Sequence, residues 1–241
     1  MEESELIRTE LLMGTDALGI LQRSTVAVAG VGGVGSYAAE ALARTGVGRL
    51  ILIDKDCVSI SNLNRQIMAV YDTVGVPKTE AMKQRIASYN RNCEVICREA
   101  FIDAETLDLI DGADFVIDAI DTVTSKLDLI EACHRKGIGI ISSLGMGNRL
   151  DPSAVYVTDL WKTSGDPLAR SVRQLARKRG MDYPIAVMMS RETPIRQTRT
   201  VDPDGKTRKD RIPPASAVFV PAAAGLLAAS YAVRILTGGT V

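Results

Sequence analysis

Gly30-Val-Gly-Gly-Val-Gly35 has the form G-x-G-x-x-G and lies between an apolar β-like run, residues 25–31, and an Ala-rich helical run, residues 36–45. Glycines at this spacing let the backbone turn tightly and approach a phosphate closely. The helix that follows offers unpaired N–H groups to an anion. Asp54 ends a second apolar run, residues 49–54, and stands 19 residues after Gly35. A carboxylate at that distance accepts hydrogen bonds from ribose hydroxyls. Gly30, Gly32, Gly33, Gly35 and Asp54 therefore indicate an adenosine nucleotide, and alone they favour NAD.

Other residues shift the balance toward a triphosphate. Ser61-Asn-Leu-Asn-Arg-Gln66 follows the second strand-like run, and Lys78 opens the next helical one. Arg65 and Lys78 bring two cations, more than a diphosphate between two riboses needs, whereas triphosphates are held by Arg/Lys clamps. Asp121 ends a further strand-like run and offers a carboxylate for Mg²⁺.

These residues share one edge only if strands and helices alternate. The pattern predicts helices over 6–22, 36–45, 77–90, 104–111 and 124–136, the last stopping at Gly137. It predicts strands over 25–31, 49–54, 93–99, 114–120, 137–143 and 154–159. That order specifies an α/β, Rossmann-like, doubly wound and mainly parallel sheet, which binds ligands at the carboxyl ends of its strands. The alternation breaks after about residue 164. Residues 170–211 carry twelve Lys/Arg against five Asp/Glu, a local net charge of +7, with a turn signal at Asp202-Pro-Asp-Gly205. We read 1–241 as a single domain with 165–215 as a basic crossover insertion, followed by an apolar C-terminal helix.

The 241 residues hold 29 Lys+Arg and 29 Asp+Glu, so total charge does not draw the chain to nucleic acid, while a local patch can. The cysteines, 57, 93, 97 and 133, form no C-x-x-C pair, which argues against a thiolate zinc site and a disulfide scaffold. No signal peptide is visible, and the compartment expected is the cytoplasm. Residues 217–236 are long enough to span a membrane, but Pro221, Ser230, Tyr231 and Arg234 favour a buried or docking helix without stable membrane insertion. His134 is expected to act as a favourable charge at a helix C-terminus. Trp161 and Tyr183 are open to two readings, stacking on a substrate base or plain packing.

The run GVGGVGS, the pair Asp54-x-Asp56, SNLNRQ, VGVPK ending at Lys78, and DAIDT at 118–122 resemble the ubiquitin-activating-type adenylating enzymes. That group includes the molybdopterin and thiamine sulfur-carrier adenylyltransferases. The match covers about residues 8–160. It implies contacts to ATP from the glycine turn, Asp54, Asp56, Ser61, Asn62, Asn64, Arg65, Gln66, Lys78, Asp121 and Thr122, with Asp121 holding Mg²⁺. It also implies a homodimer in which Arg8 reaches the partner's phosphates.

GMGNRLDP (145–152), VTDLWKTSGDPLAR (157–170) and SAVFVPAAAG (216–225) are similar to one subgroup, the tRNA threonylcarbamoyladenosine dehydratases. This implies ATP-dependent adenylation of the threonyl carboxylate of t6A in tRNA, then closure to cyclic ct6A with release of AMP and pyrophosphate. Arg8, Arg65, Lys78 and Asp121 would carry the chemistry, and a sulfur-transfer helper protein is a further partner the resemblance allows. The alternative is a sulfur-carrier-protein adenylyltransferase. Residues 134–241 contain no cysteine, so no thioester or persulfide can form there, and a substrate that cyclises on itself needs no protein nucleophile.

Overall fold

Strand β1, Thr25–Ala29, is buried at all five positions and apolar except at Thr25. That is the signature of a strand covered on both faces. It pairs in parallel with β2, Arg49–Ile53, on one side and β4, Phe115–Asp118, on the other. The computed structural model describes residues 4–197 and 214–239. Beyond these strands lie β3, Glu94–Arg98, β5, Gly139–Ser143, β6, Val155–Asp159, and β7, Ala186–Ser190. The seven strands run β3-β2-β1-β4-β5-β7-β6, and only β6 is antiparallel. The doubly wound, mainly parallel sheet is thus present. Its order reverses between β1 and β4, and crevices form at such switch points.

The helices are α1, Ile7–Met13, α2, Thr15–Arg23, α3, Gly35–Thr45, α4, Lys78–Ala87, α5, Val123–Lys136, α6, Pro167–Lys178, and α7, Phe219–Leu236. One large core joins β1 and β2 to α3, α4 and α7, through Leu42, Leu52, Met82 and Ala228 among others. Smaller cores under α5 and α6 cover the opposite face. Helix α7 has the length and composition of a membrane span, yet it lies against α3. A Cβ at Gly225 would stand 2.4 Å from the Val34 carbonyl oxygen, so glycine sets how close the two helices come.

Three expectations change. The helix over 6–22 divides at Gly14 into α1 and α2. The helix over 104–111 shortens to a 3₁₀ turn, Leu107–Ile110. There the Asp103 amide donates to Thr106 Oγ1 at 3.0 Å and the Glu105 amide to Asp103 Oδ1 at 3.0 Å, side-chain bonds that compete with a helical start. The segment read as an insertion enters the sheet in its first half. Ala169, Val172 and Ala176 form the buried stripe of α6, and β7 lies between β5 and β6. The turn signal at 202–205 lies outside the described residues, as do Arg199, Lys206, Arg208, Lys209 and Arg211.

Candidate nucleotide site

The glycine turn leaves β1 at Gly30, whose φ is +87°. A Cβ there would stand 2.8 Å from the Ala119 carbonyl oxygen, and one at Gly35 only 1.8 Å from the Gly30 carbonyl oxygen. Gly30 and Gly35 are thus required for the turn to close, while Gly32 and Gly33 face a cleft of about 360 Å³. Asp54, at the end of β2, ties that strand to the turn. Its Oδ2 accepts from the Val31 amide at 2.7 Å and its Oδ1 from the Asp56 amide at 2.9 Å.

Lys78 opens α4 from beneath the cleft. Its Nζ lies 2.9 Å from Asp56 Oδ2 and 3.7 Å from Asp54 Oδ1, with the side chain nearly buried. The ammonium is therefore held in place by two carboxylates. Arg65 lies over Gly33, its Cγ and Cδ 3.6 and 3.7 Å from where a Cβ would stand. Its Nη1 donates to the Ser61 carbonyl at 2.8 Å and to Asn64 Oδ1 at 3.0 Å. Partial burial lowers the Arg65 pKa, but a guanidinium remains charged. Asn62 is buried and accepts from the Ser59 amide at 3.1 Å. Gln66 is buried in the cleft wall, and its Oε1 has no hydrogen-bond partner among the described residues.

Asp121 is exposed on the loop after β4. Among the described residues its side chain accepts a single, long hydrogen bond, from the Thr122 hydroxyl at 3.4 Å. Among the described residues no group of three or more His, Cys, Asp or Glu could hold a metal ion. A cation at Asp121 would thus rest on one carboxylate and on oxygens of the ligand, the coordination Mg²⁺ favours.

Of the expected residues, the cleft brings together Gly30, Gly32, Gly33, Asp54, Asp56, Asn62, Arg65, Gln66, Lys78 and Asp121. Gly35, Ser61, Asn64 and Thr122 do not line the cleft, and Arg8 stands exposed on α1 outside it. The sequence reading missed Lys55 and Phe101, which close the far side. Lys55 Nζ lies 4.9 Å from the Phe101 ring centroid, and this half-exposed ring gives a base a surface to stack on. Phe101 follows a short strand without any motif, so only the fold reveals it.

A second omission lies beneath the Asp121 loop. Asp118, Lys126 and Ser142 are fully buried. Lys126 Nζ is 2.7 Å from Asp118 Oδ2, and Ser142 Oγ donates to the same oxygen at 2.6 Å. Asp118 Oδ1 accepts from the Ile120 amide at 3.0 Å and so fixes the loop's first turn. A lysine inside the apolar stripe of α5 was the available signal. Trp161 and Tyr183 take the packing reading. Trp161 Nε1 donates to the Tyr183 carbonyl at 2.8 Å, and the Tyr183 ring stacks on His134 with centroids 3.5 Å apart, near the amino ends of β5 and β7 and away from the cleft.

The sequence profile of the ThiF family matches residues 4–240. The chain is 46% identical over 236 residues to the tRNA threonylcarbamoyladenosine dehydratase of Bacillus subtilis, covering 95% of this chain and 93% of that protein. It superposes with a TM-score of 0.86 and 35% identity on the crystal structure of Escherichia coli tRNA N6-threonylcarbamoyladenosine dehydratase in complex with ATP, covering 97% of this chain and 94% of that one. The molybdopterin-synthase adenylyltransferase of Escherichia coli is more distant, at 32% identity over 181 residues, with 73% of this chain and 71% of that protein covered.

Proposed function

This chain belongs to the ThiF family, and from that premise we propose that it is an ATP-dependent tRNA threonylcarbamoyladenosine dehydratase. The observation that carries the reading is the near end-to-end identity to the Bacillus subtilis dehydratase, joined to a cleft that presents Lys78, Arg65 and Asp121 together. The threonyl carboxylate of t6A attacks the α-phosphorus of ATP. An acyl-adenylate forms and pyrophosphate leaves. The carbamoyl group of the same side chain then attacks the activated carbonyl carbon, loses a proton and expels AMP. No protein nucleophile takes part.

Each residue's role follows from its place. Adenine stacks against Phe101, and the ribose hydroxyls reach Asp54 and Asp56. The phosphates lie over the glycine turn, with Arg65 above Gly33 and Lys78 below. Mg²⁺ held by Asp121 would supply charge neutralisation on the phosphates. The cations Arg65 and Lys78 stabilise charge that grows in the transition state; removing one such preorganised donor typically costs about 2.7–4 kcal/mol. Arg8, outside its own chain's cleft, acts on the partner's phosphates in a twofold dimer.

The tRNA backbone contacts the basic part of residues 165–215. On α6, Arg170, Arg173 and Arg177 each stand one residue after the buried Ala169, Val172 and Ala176 and so flank the buried stripe. No carboxylate pairs with them among the described residues, whereas the neighbouring Arg179 is held by Asp128 at 2.6 Å. The protein works in the cytoplasm, with α7 packed on α3 and not inserted in a membrane. The sulfur-carrier-protein adenylyltransferase is the second reading. It is disfavoured because a cyclisation fits a chain whose residues 134–241 contain no cysteine, and a sulfur-transfer helper remains only an accessory partner. The test is mass spectrometry of tRNA nucleosides after incubation of t6A-tRNA with the protein, ATP and Mg²⁺. Conversion of t6A to a product lighter by one water is expected. Unchanged t6A, with ATP–pyrophosphate exchange only when a Gly-Gly-tailed carrier is added, would transfer the assignment to the second reading.

A further inference from the structure

A second cavity, of about 440 Å³, opens beside the nucleotide cleft. Its walls come from the loop after β5, which supplies Asn148 and Leu150, from Ile195 and Arg196 beyond β7, and from Ala215 and Ala217 ahead of α7. These segments are cross-tied. Asn148 Oδ1 accepts from the Ala215 amide at 2.9 Å, the Ile195 amide donates to the Asn148 carbonyl at 2.7 Å, and Asn148 itself is left-handed at φ +60°. The floor is anchored by Arg149, whose guanidinium is buried and lies 2.8 Å from Asp166 Oδ2. The cavity is therefore preformed.

Two features identify its occupant. Leu150 is 54% exposed and Ile195 48% exposed, so the cavity shows unpaired apolar surface. Among the described residues no carboxylate lines it, and Arg196 stands exposed at its rim. Apolar walls with a cation at the mouth suit a flat heterocycle carrying an anionic chain. The cavity is tied to the nucleotide cleft through Asn64. Asn64 Nδ2 donates to the Ser216 carbonyl at 2.9 Å, and Asn64 Oδ1 accepts from Arg65. One side-chain amide thus separates the apolar cavity from the guanidinium over Gly33.

We propose that this cavity is the acceptor subsite, with the purine of the modified nucleoside held between Leu150 and Ile195 and its carboxylate directed past Asn64 toward the α-phosphate. The assignment rests on the dehydratase reading. It adds that base recognition is apolar and lies outside the ATP cleft. A carrier protein's Gly-Gly tail has no side chains to fill such walls.

The test uses the full-length protein with AMP bound and the nucleoside N6-threonylcarbamoyladenosine as probe. Methyl NMR should show the Leu150 and Ile195 resonances shifting on titration, and Leu150→Asp should weaken nucleoside binding at least tenfold while ATP affinity stays within twofold. Leu150→Met should restore binding, and kcat/KM for t6A-tRNA should fall in parallel in Leu150→Asp. Binding of the nucleoside with both methyls unmoved, or a Leu150→Asp variant with unchanged kcat/KM for tRNA, overturns the subsite and leaves the dehydratase reading standing. Absence of both nucleoside binding and tRNA turnover in the wild-type protein overturns the two together.

Discussion

Lys126 Nζ and Asp118 Oδ2 lie 2.7 Å apart with neither side chain exposed. The pair sits at the base of the loop that presents Asp121. Removing one partner leaves a buried, uncompensated charge, which costs about 3–5 kcal/mol, whereas replacing both by apolar groups is often neutral. Lys126→Met should therefore lower the urea midpoint strongly, and Lys126→Met with Asp118→Leu should regain much of the loss. Equal stability of Lys126→Met and wild type would mean the pair is not charged. Because Asp118 also holds the Ile120 amide, the double variant should bind Mg²⁺-ATP less well even where it folds.

Asp121 allows chemistry to be separated from stability because it is exposed and weakly bonded. Asp121→Asn should leave the melting temperature within about a degree, as surface changes usually do. Turnover should fall by roughly 10²–10³, the loss typical of one preorganised electrostatic contact. Lys78→Ala should lose comparable turnover and also some stability, since Asp54 and Asp56 then face each other without the ammonium between them. Near-normal turnover in Asp121→Asn, measured as t6A conversion, would remove it from the site.

The thiols give a pH signature. Burial raises the pKa of Cys93 to about 11, of Cys97 to about 12 and of Cys133 to about 12. Neighbouring Glu80 adds to the effect at Cys97, and Asp118 at Cys133. Between the ordinary thiol pKa and these values the folded chain holds more protons than the unfolded one. Stability should then be fully present below about pH 9 and be lost as pH rises toward 11–12. At pH 8 a disulfide reagent should modify exposed Cys57 quickly and the other three only on unfolding. Four fast thiols in the native protein would contradict this.

The glycine turn, Asp54, Arg65, Lys78 and Asp121 were legible because they follow carboxyl ends of strands at fixed spacing, and backbone geometry dictates both. Phe101 was not, since it owes its place to β3 lying beside β2 and to no local pattern. Strand β7 was missed for a related reason. Its five residues, Ala186-Val-Met-Met-Ser190, are buried or partly buried but follow a basic helix, and charge in α6 hid the 3.6-residue stripe of Ala169, Val172 and Ala176. The buried Asp118–Lys126–Ser142 cluster joins residues up to 24 positions apart, and its partners are fixed by the β4–β5 register.

Arg170, Arg177 and Lys178 of α6, which pair with no carboxylate among the described residues, predict how tRNA affinity depends on salt. Each phosphate contact contributes about 0.7–0.9 to the slope of log affinity against log salt. Arg170→Ala, Arg177→Ala and Lys178→Ala combined should reduce that slope by roughly 2–3 and raise KM for tRNA, with ATP affinity unchanged. An unaltered slope in filter binding would place the tRNA elsewhere on the surface.

Arg8 and Lys78 should complement each other between subunits. Arg8 is exposed on α1 and lines no part of its own chain's cleft, whereas Lys78 lies within it. If Arg8 serves the partner's phosphates, Arg8→Ala and Lys78→Ala are each nearly inactive as homodimers. In a mixed dimer one composite site then carries both lesions and the other carries none, since the Arg8→Ala chain supplies a normal Lys78 and its partner a normal Arg8. Half of randomly exchanged dimers are mixed, each with one good site of two, so activity should recover to about a quarter of wild type. Subunit exchange is verified by mass labelling of one variant before mixing. Recovery well below a quarter despite complete exchange would place Arg8 over its own chain's nucleotide, because a lesion acting in cis leaves no site of the mixed dimer intact.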